Sequence, residues 1–293
     1  MRAEHEVGRV RVSYHSAASP HGADQGRHRR VGPKIGISHG KRCWKWTTRE
    51  GPSGHTLAGM PSYADYCPIA VGVDILGDRW TPLVIRELMV GSSRFNEIHR
   101  GVPKMSRSLL TQRLRMLERH DIVRRQASDR GRPGRYELTR AGEALTPIVW
   151  AMGQWAAEWK FGDPTAEEAD ALTLLWRMHQ HAVADRLPSD RTVIHLVLTG
   201  PGGAQGWLDI DDATMTVCKD DPGYDVDLAV EADTGQMQRW LVGLVPFSQL
   251  VRSGDARLLG PSKLARAFPT WFDTTFFEEG LARRRARERR HVA

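Results

Sequence analysis

The sequence predicts an α+β protein of two folded parts between basic ends, and three observations carry that prediction. Residues 67–120 place apolar side chains at helical spacing in short successive runs, and residues 192–231 alternate apolar with polar in runs bounded by turn formers. Charge divides along the same lines: net +7 for 1–59, +5 for 60–160, −10 for 161–280 and +5 for 281–293, against +7 for the whole chain. A basic and an acidic part do not share one surface or one partner, so each is read on its own terms.

At 293 residues the chain has room for two domains of ordinary size. No apolar run reaches the roughly 18 residues a membrane span needs. The start, Met1 to Glu6, lacks the apolar stretch of a secretory signal, and Cys43, Cys67 and Cys218 make neither a disulfide framework nor a zinc spacing. A reducing cytoplasm is the expected compartment. Residues 1–59 are rich in Gly, His, Arg and Ser, hold six of the twelve histidines and show no sustained period. They read as a disordered basic tail, with Cys43 to Trp46 as a weak nucleic-acid contact at most. Met60 stands directly before the first folded stretch, so two readings stay open: 1–59 are a tail of the protein, or they lie upstream of the true start.

Residues 60–160 form the first domain. Pro68 opens a helix to Ile75 with Ile69, Val73 and Leu76 turned inward, and Gly77-Asp78 closes it. In Arg79 to Val90, Trp80, Leu83, Val84 and Leu88 follow a helical stripe, so that helix is scaffold. Phe95 to Val102 and Ser106 to Arg119 are two helices joined by the turn Gly101 to Met105. Ser106 is a good N-cap, and Leu110, Leu114 and Leu117 fall on one face of its helix. Ser108, Thr111, Gln112 and Arg115 point away from that face, with Ser106 and Arg107 at its start. Hydroxyls, an amide and a guanidinium are the groups that read base edges in a major groove, although a solvated face uses the same residue types. Ile122 to Gln126 and Arg135 to Thr139 read as strands around a turn-forming loop, 128–134, which brings Arg130, Arg132 and Arg135 to a hairpin tip able to reach phosphates or a minor groove. Arg94 and Lys104 flank the helix pair as phosphate anchors. The order is that of a winged helix-turn-helix. Arg140 to Trp159 then reads as one long helix whose Leu145, Ile148, Val149, Met152, Trp155, Ala156 and Trp159 exceed what one small lobe can cover.

Over roughly Tyr63 to Trp159 the sequence closely resembles the HxlR-type transcriptional regulators, relatives of the MarR group. The matching pattern stands here as Cys67-Pro68, Leu76-Gly-Asp-Arg-Trp-Thr81, Arg94-Phe-Asn-Glu-Ile98, Leu110-Thr-Gln-Arg-Leu114 and Tyr136-Glu-Leu-Thr-Arg-Ala-Gly142. The resemblance implies double-stranded DNA as partner and a two-fold dimer built from the Cys67–Ile75 and Arg140–Trp159 helices. Two recognition helices about 34 Å apart suit palindromic half-sites. Several members of that family sense oxidants or electrophiles through a cysteine at the place of Cys67. A helix N-terminus would favour its thiolate, while a small packed residue is the plainer reading.

Phe161 to Pro164 reads as a linker into a second domain, 165–275. Glu167 to Leu187 is expected as an amphipathic helix with Leu172, Leu175, Trp176, His179 and Val183 on one side. Strands follow at Thr192–Thr199, Gln205–Ile210, Ala213–Cys218 and Val226–Glu231, with Asp211-Asp212 as a two-residue hairpin turn and the sheet expected to be antiparallel. Helices over 234–242 and 246–253, a strand at 256–259 and a helix over 262–268 complete it. This order, with Val226-Asp-Leu-Ala-Val-Glu-Ala-Asp233, Trp240-Leu-Val-Gly243 and Ser253-Gly-Asp-Ala-Arg-Leu-Leu-Gly260, resembles the sterol carrier protein type two-like fold. That resemblance implies a cavity for an apolar molecule. Trp207, Trp240, Phe247, Leu250 and Trp271 either line such a pocket or only fill a core. Residues 276–293 read as a basic tail.

No Gly-rich phosphate loop, His-Glu metal motif or nucleophile elbow is present, and carboxylate pairs such as Asp220-Asp221 sit in turns. His179 and His181 lie about 200° apart on a helix, a poor arrangement for one metal. The expectation is therefore no enzyme, cofactor, metal or membrane. The expected function is a dimeric DNA-binding regulator, a repressor by preference, that takes its input from an apolar ligand or from oxidation of Cys67. The competing expectation is an apolar-ligand carrier whose winged helix serves protein interaction.

Overall fold

Between Pro68 and Leu138 the chain builds four helices and a hairpin: α1 (Pro68–Leu76), α2 (Thr81–Met89), α3 (Phe95–Gly101), α4 (Arg107–Arg119), β1 (Val123–Gln126) and β2 (Arg135–Leu138). These come from a computed structural model that describes residues 66–126 and 134–292. The tail expected over 1–59 and the loop arginines Arg130 and Arg132 lie outside the described residues. Local chemistry explains the boundaries. Asp78 Oδ1 accepts the Trp80 amide (2.9 Å) ahead of α2, Glu97 Oε2 accepts the Ser93 and Arg94 amides (2.9 Å each) ahead of α3, and Ser106 Oγ accepts the Leu109 amide (3.2 Å) at the start of α4. Val84, Ile85 and Leu88 of α2 meet Ile98 of α3 and Leu110, Leu114 and Leu117 of α4 in one core, with Ile122 and Val123 closing it from the hairpin. In α1 the expectation fails for two residues: Ile69 (77% exposed) and Val73 (40%) face outward with Val71.

The single helix expected over Arg140–Trp159 is two, α5 (Arg140–Glu143) and α6 (Thr146–Trp159). Pro147 has no N–H to give to a continuous helix, and it is accommodated in the first turn of α6, where no donor is needed. The segment expected as a basic tail is instead helix α11 (Glu278–Val292), which runs along α6. Gln154 Nε2 donates to Phe276 O (2.8 Å) and Gln154 Oε1 accepts the Gly280 amide (2.7 Å). Arg283 pairs with Glu158 (2.9 Å), while Arg284 and Arg287 donate to the carbonyls of Phe161 and Glu158, free acceptors at the C-terminal end of α6. A Cβ at Gly280 would lie 2.4 Å from Gln154 O, so glycine there sets the close approach of the two helices.

In the part expected as a second domain, 165–275, α7 (Ala171–His181) begins later than expected, because Asp170 Oδ1 takes the Thr173 amide (2.6 Å) and so caps it. Its buried stripe is Ala171, Leu174, Leu175 and Met178, whereas Leu172 is half exposed. Strands β3 (Thr192–Thr199), β4 (Ala204–Asp211), β5 (Thr214–Cys218), β6 (Leu228–Asp233) and β7 (Ala256–Leu259) form one sheet ordered β5-β4-β3-β6-β7. The expected antiparallel sheet is mixed. Residues 219–227 carry the chain from the β5 edge past β4 and β3, so β6 pairs parallel with β3 from Ile194↔Leu228 to Thr199↔Asp233. The hairpin turn sits one residue later than expected, on Asp212 (φ 48°) and Ala213 (φ 54°), both left-handed. Ile194, Leu196, Leu198, Leu208 and Ile210 share a core with α7, α8 (Thr234–Leu241) and α9 (Phe247–Ser253), and α10 (Ser262–Ala267) packs against its edge.

Candidate nucleic-acid interface

The geometry of α4 follows from its sequence. Burying Leu110, Leu114, Met116 and Leu117 fixes the helix by one face, which leaves Ser106, Arg107, Ser108, Gln112 and Arg115 exposed on the other. Thr111, half buried, gives its hydroxyl proton to Arg107 O (2.9 Å), and the Ser106 and Ser108 hydroxyls lie 3.1 Å apart. Arg107 is already held: its Nη2 donates to Asn96 Oδ1 (2.7 Å) and its guanidinium lies over the Phe95 ring. Among the described residues of this face, Gln112 and Arg115, with Arg119 in the last turn, are exposed long side chains that hold no such bond.

The flanking candidates differ among themselves. Arg94 occupies the N-cap position of α3 and stays half exposed, its guanidinium 4.0 Å from Glu97. Lys104 is exposed, but its ammonium donates to Glu167 O (3.1 Å), a carbonyl just before α7. Arg135 is exposed where β2 begins, and the hairpin is tied to the body by the Tyr136 amide, which donates to Ser93 O (2.7 Å). Arg113, which the sequence did not single out, fixes the back of α4 by a 2.7 Å ion pair with Asp78 in the α1–α2 corner.

A second group escaped the sequence reading. Glu87 of α2 is fully buried among Arg86, Ser92 and two residues of α7, Arg177 and Gln180. Burial alone would raise its pKa, yet the Arg177 and Arg86 guanidiniums together hold its carboxyl below the usual carboxylate range. The available signal was its position: three residues after Val84 and four after Leu83, Glu87 lies inside the apolar stripe of its helix.

The remaining candidates do not form one site. Trp240, Phe247, Leu250 and Trp271 belong to the second domain's core, where Trp240 sits 4.9 Å from Phe247 and 5.5 Å from Phe272. Trp207 lies on the opposite sheet face, stacked on His195 (4.6 Å). His181 Nδ1 donates to Asp273 O (2.7 Å) and its ring meets Phe276, while His179 stacks on Trp176; burial lowers the pKa of both. No cluster of three metal-ligating groups occurs among the described residues. Cys67 is a half-buried free thiol at the N-cap of α1.

Residues 75–163 match the model of the HxlR-like helix-turn-helix. The uncharacterized HTH-type transcriptional regulator YvaP of Bacillus subtilis (strain 168) is 39% identical over 99 residues, which span 33% of this chain and 91% of YvaP. The chain belongs to the HxlR-like helix-turn-helix family. The HTH-type transcriptional regulator YodB of the same organism is 38% identical over 106 residues, 35% of this chain and 94% of YodB. Among solved structures, the reduced form of YodB from B. subtilis is 36% identical, with 34% of this chain and 100% of that chain covered and a TM-score of 0.30. In these HxlR-like terms α3 and α4 are the helix-turn-helix and β1–β2 the wing. The family match ends at 163, so the second domain rests on its own physics.

Proposed function

We propose that the protein is a transcriptional regulator that binds palindromic double-stranded DNA as a homodimer, each α4 lying in a major groove with the wing on the adjacent backbone. The observation that carries this reading is the exposed face of α4, where Gln112 and Arg115 stand free on a helix locked from behind by Leu110, Leu114, Leu117 and Arg113. Arg94, Arg130, Arg132 and Arg135 serve the phosphates in this reading, and Lys104 does so only by giving up its bond to Glu167 O. Dimerisation is supported by a second observation. Ile148, Met152, Trp155 and Trp159 make a half-exposed apolar stripe on α6, and Ile69, Val71 and Val73 stand out on α1. A gel shift against the duplex upstream of the gene and against random duplex tests the reading, with specific affinity falling steeply as salt rises. Equal affinity for both duplexes would refute it.

The input to this regulator is proposed to be oxidation at Cys67, a half-buried free thiol at the N-cap of α1. Diamide should then weaken DNA binding by the wild type and leave Cys67→Ser unaffected; an equal response of both removes Cys67 from the proposal. The element order of the second domain supports the sterol carrier-like reading. An apolar ligand would enter it by parting the Trp240 cluster, and native mass spectrometry of the purified chain would show such a ligand as added mass.

A further inference from the structure

We propose that Arg177 and Gln180, two side chains of the second domain, are positioning residues of the DNA reader: through Glu87 they hold the turn between α3 and α4 and so set how α4 meets a duplex. This rests on the DNA-binding reading above. The bonds run as follows in space. Glu87 Oε1 accepts from Arg86 Nη2 (2.7 Å) and Arg177 Nη1 (2.6 Å), and Oε2 accepts from Gln180 Nε2 (2.7 Å). Arg177 Nη2 and Arg86 Nη2 also donate to Gly101 O, at 2.6 and 3.1 Å. Gly101 is the last residue of α3, and the turn into α4 begins with the next residue. A Cβ there would sit 1.8 Å from Glu87 Oε2, so the carboxylate occupies the place of a side chain under the turn.

The network has its short bonds only with α7 in place: without it Glu87 Oε2 keeps the 3.4 Å bond from Ser92 Oγ in place of the 2.7 Å bond from Gln180, and Gly101 O keeps only its longer bond from Arg86. Two guanidiniums against one carboxylate leave a positive excess. It lies at the C-terminal end of α3, where the helix carbonyls supply negative partial charge. The contact is reinforced beside it by Lys104 on Glu167 O and by the Arg100 guanidinium over the Trp176 ring (5.5 Å). The opposite side of α7 is seated in the sheet core through Leu174, Leu175 and Met178, and a Cβ at Gly206 would lie 2.4 Å from Leu175. A rearrangement of that core which moves α7 therefore moves the groups that hold Gly101. This supplies a differential contact of the kind that coupling between two domains requires.

The test compares the full-length wild type with Arg177→Met and Arg177→Lys. It measures affinity for the tightest duplex selected by the wild type from a randomised pool, together with hydrogen exchange at the Val102 and Met105 amides, which are bonded to His99 O and Val102 O. Arg177→Met is expected to weaken DNA binding by about 5- to 150-fold and to speed exchange at those two amides at least about tenfold, while the amides of β3 keep their protection. Arg177→Lys keeps the charge but not the fork that spans Glu87 and Gly101, and it should show the same local loosening to a smaller degree. DNA affinity within twofold of wild type together with unchanged exchange at Val102 and Met105 would overturn the proposal. If Arg177→Met also exposes the β3 amides, the Arg177→Lys comparison decides by the same criteria. A wild type that selects no duplex removes the DNA-binding reading, and the exchange comparison still judges the joint on its own.

Discussion

Trp155→Glu is the change that most sharply separates assembly from folding. The side chain is 54% exposed in the isolated chain and belongs to the stripe of Ile148, Met152 and Trp159. A tryptophan presents up to about 250 Å² for burial, so about 130 Å² is free for a partner; at about 25 cal/mol/Å² that is about 3 kcal/mol per protomer. In a two-fold interface the change occurs twice, giving about 6 kcal/mol, or about four powers of ten in the dimer dissociation constant. The same substitution also gives up the part of Trp155 that the monomer already covers, about 3 kcal/mol by the same conversion, so loss of fold must be read separately from loss of the dimer. Sedimentation equilibrium from 0.1 to 100 µM, with far-UV circular dichroism as the check on folding, reads both quantities. The expected result is a folded monomer whose DNA binding falls about a hundredfold or more as two-site engagement disappears. A Trp155→Glu protein that still sediments as a dimer at 1 µM would refute the assignment of the α6 stripe to the interface.

Three further outcomes follow from particular contacts. Gln112→Ala should relax sequence preference by about 1–3 kcal/mol at one base pair, whereas Arg135→Ala should weaken selected and random duplexes alike; equal loss of specificity from both in a competition gel shift would remove the division of roles. Ala213→Gly should raise stability by about 1 kcal/mol in urea melts, since Ala213 is left-handed (φ 54°) in the β4–β5 turn and glycine is not strained there; no gain would show that the turn relaxes. Burial keeps His181 neutral in the fold with its pKa lowered, so the unfolded chain takes up the proton first and stability falls as pH drops below about 6.5. His181→Gln should reduce that slope by up to one proton, about 1.4 kcal/mol per pH unit, in urea melts between pH 7 and 5. An unchanged slope would place the acid sensitivity elsewhere, with His179 as the next residue to replace.

What was legible in the sequence was local. The Ser106 cap, the Leu110–Leu114–Leu117 stripe and the strand alternation around Leu196 and Leu208 each depend on neighbours within a turn or two, and each stands where the spacing put it. What was not legible depends on residues distant in sequence. Arg283, Arg284 and Arg287 read as a solvated tail because arginine runs usually are one, but Glu158 and the end carbonyls of α6 give them partners. The parallel pairing of β3 with β6 is a property of where 219–227 lead the chain, which alternation does not encode. Glu87 and Arg177 lie 90 positions apart, and only the misplaced carboxylate within an apolar stripe hinted at the joint. Of the candidate DNA contacts, Gln112 and Arg115 are exposed, while Arg107 and Lys104 already hold partners within the protein.

The most direct measurement is hydroxyl-radical footprinting of the wild-type chain on the tightest duplex selected from a randomised pool. Two α4 helices related by a two-fold axis predict a palindromic consensus and two protected patches centred about 10 base pairs apart, or a multiple of that. Failure to enrich any sequence, or a single asymmetric patch at saturating protein, would contradict a dimeric reader of DNA.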